Sequence, residues 1–179
     1  MTNSIKLIGN VASPYTRKMV AYLRYKRIPY EVIWGQPEDI LKKMNIEPPK
    51  PILLPVFILD RDGQATAVTD STPLIREFED KYPDRSVLPN NPALNFINFV
   101  LEDFGDEWCT KFMFHYRWHF DEDADNAGTI LPLGINSNLK DDELAFFKEH
   151  FAKRQIDRLW VVGSNNDTAE FIDCLLYTS

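Results

Sequence analysis

Between residues 5 and 82 the hydrophobic pattern keeps switching between strand and helix periods, and this alternation restricts the fold more than any other feature. Ile5-Lys6-Leu7-Ile8 is a short strand pattern ending at Gly9. Pro14 to Arg27 follows a helical period, with Met19, Val20 and Leu23 on one face and Arg17, Lys18, Arg24 and Lys26 polar. Ser13 before Pro14 is an N-cap followed by an N1 proline, and Pro29 is expected to end the helix. Tyr30 to Trp34 reads as a second strand and Asp39 to Met44 as a short helix. Pro48, Pro49, Pro51 and Pro55 make a stiff, non-helical approach to a third strand, Val56 to Leu59. Asp60-Arg61-Asp62-Gly63 marks a hairpin turn, with Ala65 to Thr69 returning beside it. A helix from about Thr72 to Tyr82 completes the order β-α-β-α-β-β-α.

Residues 83–92 hold three prolines and two asparagines and read as a linker. The charge changes sign there. Residues 1–82 carry twelve Lys and Arg against ten Asp and Glu, whereas residues 83–179 carry eight against seventeen. So acidic a second half repels phosphates and argues against nucleic acid as a partner. Beyond the linker the pattern turns helical: Leu94, Ile97, Leu101, Phe104, Trp108 and Phe112 keep helical spacing with acids between them. Gly128 to Asn138 is expected to be a loop, and another helix runs from near Lys140 through Phe147, Phe151 and Ile156 toward Trp160. The expected organisation is an α/β domain over 1–82, a linker over 83–92 and a helical domain over 93–179.

The chain has no run of eighteen apolar residues and no apolar leader at Met1-Thr2-Asn3-Ser4-Ile5-Lys6, so a cytoplasmic location without membrane contact is expected. Cys109 and Cys174 form no CxxC pair and read as two reduced core thiols. His115 and His119 have a spacing that can bind a metal, but Phe114, Tyr116, Trp118 and Phe120 around them suggest packing, so no metal is expected. No Walker-type or GxGxxG loop occurs.

Three segments carry chemistry. Ser13-Pro14-Tyr15-Thr16 stands at a strand-to-helix junction where dithiol oxidoreductases place C-P-Y-C; hydroxyls occupy both sulfur positions, which excludes disulfide exchange by the chain itself. A hydroxyl there can donate to an external thiolate, helped by backbone N–H groups and the helix dipole. A thiol titrates near ~8.5, and about 1.4 kcal/mol of selective thiolate stabilisation lowers that by about one unit. Capping by itself also accounts for a serine at this position. Leu54-Pro55-Val56 places a proline just before a strand, at a position where a cis peptide would expose backbone groups to a peptide ligand. In Thr69-Asp70-Ser71-Thr72, Asp70 can hold an ammonium group, while the Ser71 hydroxyl and the helix start can hold a carboxylate. An N-cap cluster followed by Pro73 explains the same residues structurally.

Taken in this order, the segments resemble the N-terminal domain of the glutathione S-transferase superfamily, over residues 5 to about 82. The resemblance implies a thioredoxin-like α/β N-terminal domain followed by a partial all-α helical domain. It implies that Ser13 activates the glutathione sulfur as in the serine-type classes, with Tyr15 a second hydroxyl candidate. It implies that Pro55 is cis, that Leu54 and Val56 border the cysteinyl group, and that Asp70 and Ser71 hold the γ-glutamyl end. Asp70 stands where glutamate is commoner in the family. Glutathione is then the co-substrate, an electrophilic small molecule its partner in a detoxification reaction, and a homodimer the assembly. Two other readings stay open: a non-catalytic regulatory or protein-interaction module, and a glutathione-dependent isomerase or reductase. The last residues, Cys174-Leu175-Leu176-Tyr177-Thr178-Ser179, follow soon after a new helix begins, and a C-terminally truncated fragment with a foreign tail is the expectation.

Overall fold

The computed structural model describes residues 4–178, with side chains described through residue 175. The expectations for Met1 to Asn3 and for the tail side chains from Leu176 onward lie outside the described residues. The chain divides into two compact units, residues 1–95 and 96–179.

The first unit is built on a four-stranded sheet in the order β2-β1-β3-β4, from β1 (Ile5–Gly9), β2 (Tyr30–Trp34), β3 (Val56–Arg61) and β4 (Gln64–Val68). β1 pairs with β2 in parallel and with β3 antiparallel, and β3 with β4 antiparallel. Between them lie α1 (Pro14–Lys26), α2 (Pro37–Met44) and, after β4, α3 (Ser71–Lys81). The period of two along each strand divides its side chains between two cores. Ile5 and Leu7 of β1 and Phe57 and Leu59 of β3 pack with Met19, Tyr22 and Leu23 of α1 and Leu74, Ile75 and Phe78 of α3. Ile8, Val56 and Ala67, on the opposite face, pack with Leu41 of α2.

Local chemistry sets the ends. α1 stops at Lys26, ahead of Pro29, because Arg27 adopts φ 58° and Ile28 N–H returns to the Leu23 carbonyl at 3.0 Å. α2 starts two residues earlier than its pattern suggested, with Pro37 in its first turn. The hairpin closes through Asp62 and Gly63 alone, at φ 55° and 81°, the left-handed pair that a two-residue turn requires. Lys26, read from its spacing as polar, is buried: its Nζ lies 2.9 Å from Glu79 Oε1 of α3.

The second unit is helical: α4 (Pro92–Asp103), which begins before it, a π turn (Phe104–Trp108), α5 (Cys109–Trp118), α6 (Asp121–Ile135), α7 (Asp141–Ile156), a 3-10 turn (Leu159–Val162) and α8 (Asn166–Thr178). The π turn shifts the apolar stripe read from Leu94 to Phe112. Phe112 is buried, while Leu94, Ile97, Leu101 and Trp108 are exposed. The loop expected over Gly128 to Asn138 is a correction: α6 continues to Ile135. Ala124, Gly128 and Pro132 form a buried stripe at four-residue spacing. A Cβ on Gly128 would meet Lys148 Cγ of α7 at 3.1 Å and Ala152 Cβ at 3.4 Å, so glycine here serves close helix packing. Asn165 and Thr168 cap α8 reciprocally, each side-chain oxygen accepting the other's backbone N–H at 3.0 Å. Cys109 is half-buried and Cys174 is exposed rather than in a core. Among the described residues no helix is long and apolar enough to cross a membrane.

Candidate functional site

Strand register gathers the three segments. Ile8, near the end of β1, lies opposite Val56 at the start of β3, and Phe57 lies opposite Val68 at the end of β4. The end of β1, the start of β3 and the end of β4 therefore share one edge of the sheet. The connections leaving it carry Ser13, Leu54-Pro55-Val56 and Asp70-Ser71.

At the first corner, Ser13 N–H donates to the Asn10 carbonyl at 3.0 Å and Ala12 N–H to Asn10 Oδ1 at 2.8 Å. Arg17 Nε donates to the Val11 carbonyl at 2.8 Å. These bonds set the turn from which α1 springs. Ser13 is its N-cap, with φ −78° and ψ 119°, and Ser13 Oγ accepts the Thr16 N–H at 3.2 Å. Ser13 and Tyr15 are half-buried. Thr16 is only 1 % exposed and its Oγ1 accepts the Asn10 N–H at 3.4 Å, so its hydroxyl faces the protein. A Cβ on Gly9 would fall 2.5 Å from Thr16 Cγ2, so β1 needs glycine where α1 crosses it.

At the second corner the Leu54–Pro55 peptide is cis, as is Lys50–Pro51. Pro55 and Val56 are buried and Leu54 is half-buried. Thr69 Oγ1 donates to the Leu53 carbonyl at 2.7 Å and reaches the Pro55 carbonyl at 3.5 Å, tying this loop to the end of β4. At Val56 the ladder with β4 has already ended, which leaves the strand edge running past its partner. Such an edge can pair with an extended peptide.

At the third corner Asp70 is exposed, with φ 82° and ψ 116°. A non-glycine residue rarely adopts that conformation, and such residues cluster at ligand sites. Its carboxylate accepts the Thr72 N–H at 3.3 Å, capping α3. Ser71 is buried, and its Oγ accepts a hydrogen bond from Lys18 Nζ at 3.2 Å. Lys18 is the residue of this corner that the sequence reading left on a polar face. Its signal was its place on α1, five residues beyond Ser13, but only the packing of α1 against α3 shows what it touches.

His115 and His119 lie in the second unit. Their rings stack 4.4 Å apart. His115 is fully buried, with Nδ1 2.7 Å from Ser164 Oγ, while its Nε2 is buried with no hydrogen-bond partner. Desolvation first, and the neighbouring His119 second, hold His115 below the usual imidazole range. No cluster of three or more metal-ligating side chains forms among the described residues.

Residues 7–86 match the family model for the glutathione S-transferase N-terminal domain. Comparison with curated protein sequences gives no match. Among solved structures, the chain resembles a glutathione S-transferase of Methylobacterium radiotolerans, in complex with glutathione sulfonate, at 21 % identity and a TM-score of 0.53; the match covers 87 % of this chain and 63 % of that one. It resembles an Omega-class glutathione transferase of Trametes versicolor at 13 % identity and a TM-score of 0.51, over 72 % of this chain and 61 % of that one. It resembles a Tau-class glutathione S-transferase of mango, Mangifera indica, at 19 % identity and a TM-score of 0.50, over 93 % and 84 %. The chain thus spans less than two thirds of the first two relatives' length, and identities this low speak to fold alone. Sheet order and register agree with the match, and residues 7–86 are therefore similar to the N-terminal domain of the glutathione S-transferases.

Proposed function

We propose that the first unit binds glutathione and that Ser13 stabilises its thiolate for attack on an electrophilic small molecule. The observation that supports the reading is the shared sheet edge, from which the connections carrying Ser13, Val56 and Asp70-Ser71 leave. The Ser13 cap uses a lone pair of Oγ, so the hydroxyl proton remains to be donated to sulfur. The edge at Val56 suits the extended cysteinyl backbone. Asp70 suits the ammonium of the γ-glutamyl end and Ser71 its carboxylate. The mechanism is thiolate stabilisation and positioning, with no covalent enzyme intermediate. Cytoplasmic location and homodimeric assembly belong to the same reading, on the strength of family likeness.

Titration calorimetry with reduced glutathione tests it. Saturable binding is expected, and Asp70→Asn, which keeps a capping oxygen but removes the charge, should weaken it by about tenfold. A folded wild-type chain that gives no binding heat overturns the reading.

A further inference from the structure

We propose that Asn10 is a positioning residue for the reaction: its side chain holds the turn before α1 so that the Ser13 hydroxyl directs its proton outward to the glutathione sulfur; the inference rests on the glutathione reading above. Three residues close a ring of hydrogen bonds around this turn. Ser13 N–H donates to the Asn10 carbonyl at 3.0 Å, Thr16 N–H to Ser13 Oγ at 3.2 Å, and Asn10 N–H to Thr16 Oγ1 at 3.4 Å. The peptide group between Val11 and Ala12 is pinned at both ends. Its N–H donates to Asn10 Oδ1 at 2.8 Å, and its carbonyl accepts Arg17 Nε at 2.8 Å.

The consequence falls on Ser13. Val11 is 52 % exposed, so packing does little to hold this loop and the side-chain bonds must do it. An asparagine oxygen bonded to the N–H two residues on fixes a turn without regular secondary structure. Ala12, Ser13 and Thr16 commit their N–H groups to the turn and its cap, and Pro14 has none. Thr16 is buried, so of these four residues Ser13 alone keeps a proton that can reach an incoming sulfur. Ser13 Oγ is tied to the Thr16 N–H, and the direction left to its proton depends on how firmly the turn holds the residue. A loosened Ser13 still caps α1, but its donor is no longer aimed where charge develops.

The test is the pH profile of turnover with saturating glutathione and an activated aryl halide, for wild type, Asn10→Ala, Asn10→Ser and Thr16→Val. Asn10→Ala releases the Ala12 N–H. Its profile should move up by about one pH unit, toward the ~8.5 of a free thiol, and turnover at pH 7 should fall roughly tenfold. S-methylglutathione, which has no thiol to ionise, should bind this variant within about twofold of wild type by calorimetry. Asn10→Ser returns a side-chain oxygen to the turn and should recover most of the loss. Thr16→Val keeps nearly the same shape against Gly9 and opens the ring at Thr16 Oγ1. A smaller shift in the same direction is expected from it, and it carries the test where Asn10→Ala does not fold. A folded Asn10→Ala whose profile stays at the wild-type position, whatever its stability, would mean that Asn10 merely supports the loop, and it would overturn the inference. So would S-methylglutathione binding that weakens in proportion to turnover. A wild type that fails to bind S-methylglutathione sinks the glutathione reading itself, a result separable from the other two.

Discussion

Ser13 places two demands on one oxygen atom. Its Oγ accepts the Thr16 N–H, and in the proposed reaction it donates its proton to sulfur. Substitutions separate the two. Ser13→Ala loses both, and should cost about 1 kcal/mol of stability together with turnover. Ser13→Asn retains a capping oxygen but not the hydroxyl, so it should keep wild-type stability and lower turnover by roughly tenfold to a hundredfold. Urea unfolding and turnover with glutathione and an activated aryl halide measure the pair of effects. Wild-type turnover by Ser13→Asn would transfer the role to Tyr15, because Thr16 is buried behind Gly9. Ser13 was legible in the sequence because capping is local: a serine, a proline and an apolar period suffice. Lys18 was not, because its meaning depends on a contact 53 residues away.

At the scale of elements, α1 and α3 are joined by a buried polar network. Glu79 of α3 takes Lys26 Nζ at 2.9 Å and Tyr22 Oη at 2.8 Å on one oxygen. Its other oxygen accepts Ser86 Oγ at 2.5 Å and the Val87 N–H at 3.1 Å. Burial pulls the carboxyl upward, but Lys26, Ser86 and Tyr22 together outweigh it and hold Glu79 below the usual range. Burial, then the Glu79 carboxylate, pushes the Tyr22 hydroxyl above its range. A carboxyl with a lowered folded value contributes stability above its unfolded value, near 4.5, and that stability is lost as pH falls through the folded value. Glu79→Leu strands Lys26 in a buried site and should cost about 3 kcal/mol or more. Lys26→Met should cost less, since Glu79 keeps three donors. Denaturant unfolding of both variants checks the order, and a larger loss in Lys26→Met would contradict it. The sequence showed Lys26 only as a polar residue; a buried partner across two helices leaves no mark on local periodicity.

For the molecule as a whole, the two units differ in what fixes them. The first has two dense cores either side of a sheet. The second relies on fewer buried side chains, among them Phe112, His115 and Trp118 of α5 and Ile172 of α8. His115 is thus part of a core, and burial there disfavours its charged form. Its folded value is lowered, so folding stability is full above the unfolded value, near 6.5, and falls as pH drops from there toward the folded value. The slope reaches at most one proton, about 1.4 kcal/mol per pH unit. Trp118 is buried in the same unit, so tryptophan fluorescence during denaturation at pH 7 and pH 5 should report a loss at pH 5. His115→Leu should shrink that difference; an unchanged difference would place the acid sensitivity elsewhere.

The sequence by itself determined the β-α-β-α-β-β-α order and the capping serine. Strand alternation, helix period and turn residues act over a few positions, and Asp62-Gly63 or Ser13-Pro14 can be read without knowing the rest of the chain. Tertiary structure alone decided which side chains meet. Antiparallel register brings Ile8, Val56 and Val68 to one edge, and helix packing sets Lys18 against Ser71 and Lys26 against Glu79. It also kept Gly128 in a helix, because close approach to α7 rewards a missing side chain where local propensity signals a loop. Local preference is worth about 1 kcal/mol per residue, and burial of neighbouring elements readily exceeds it.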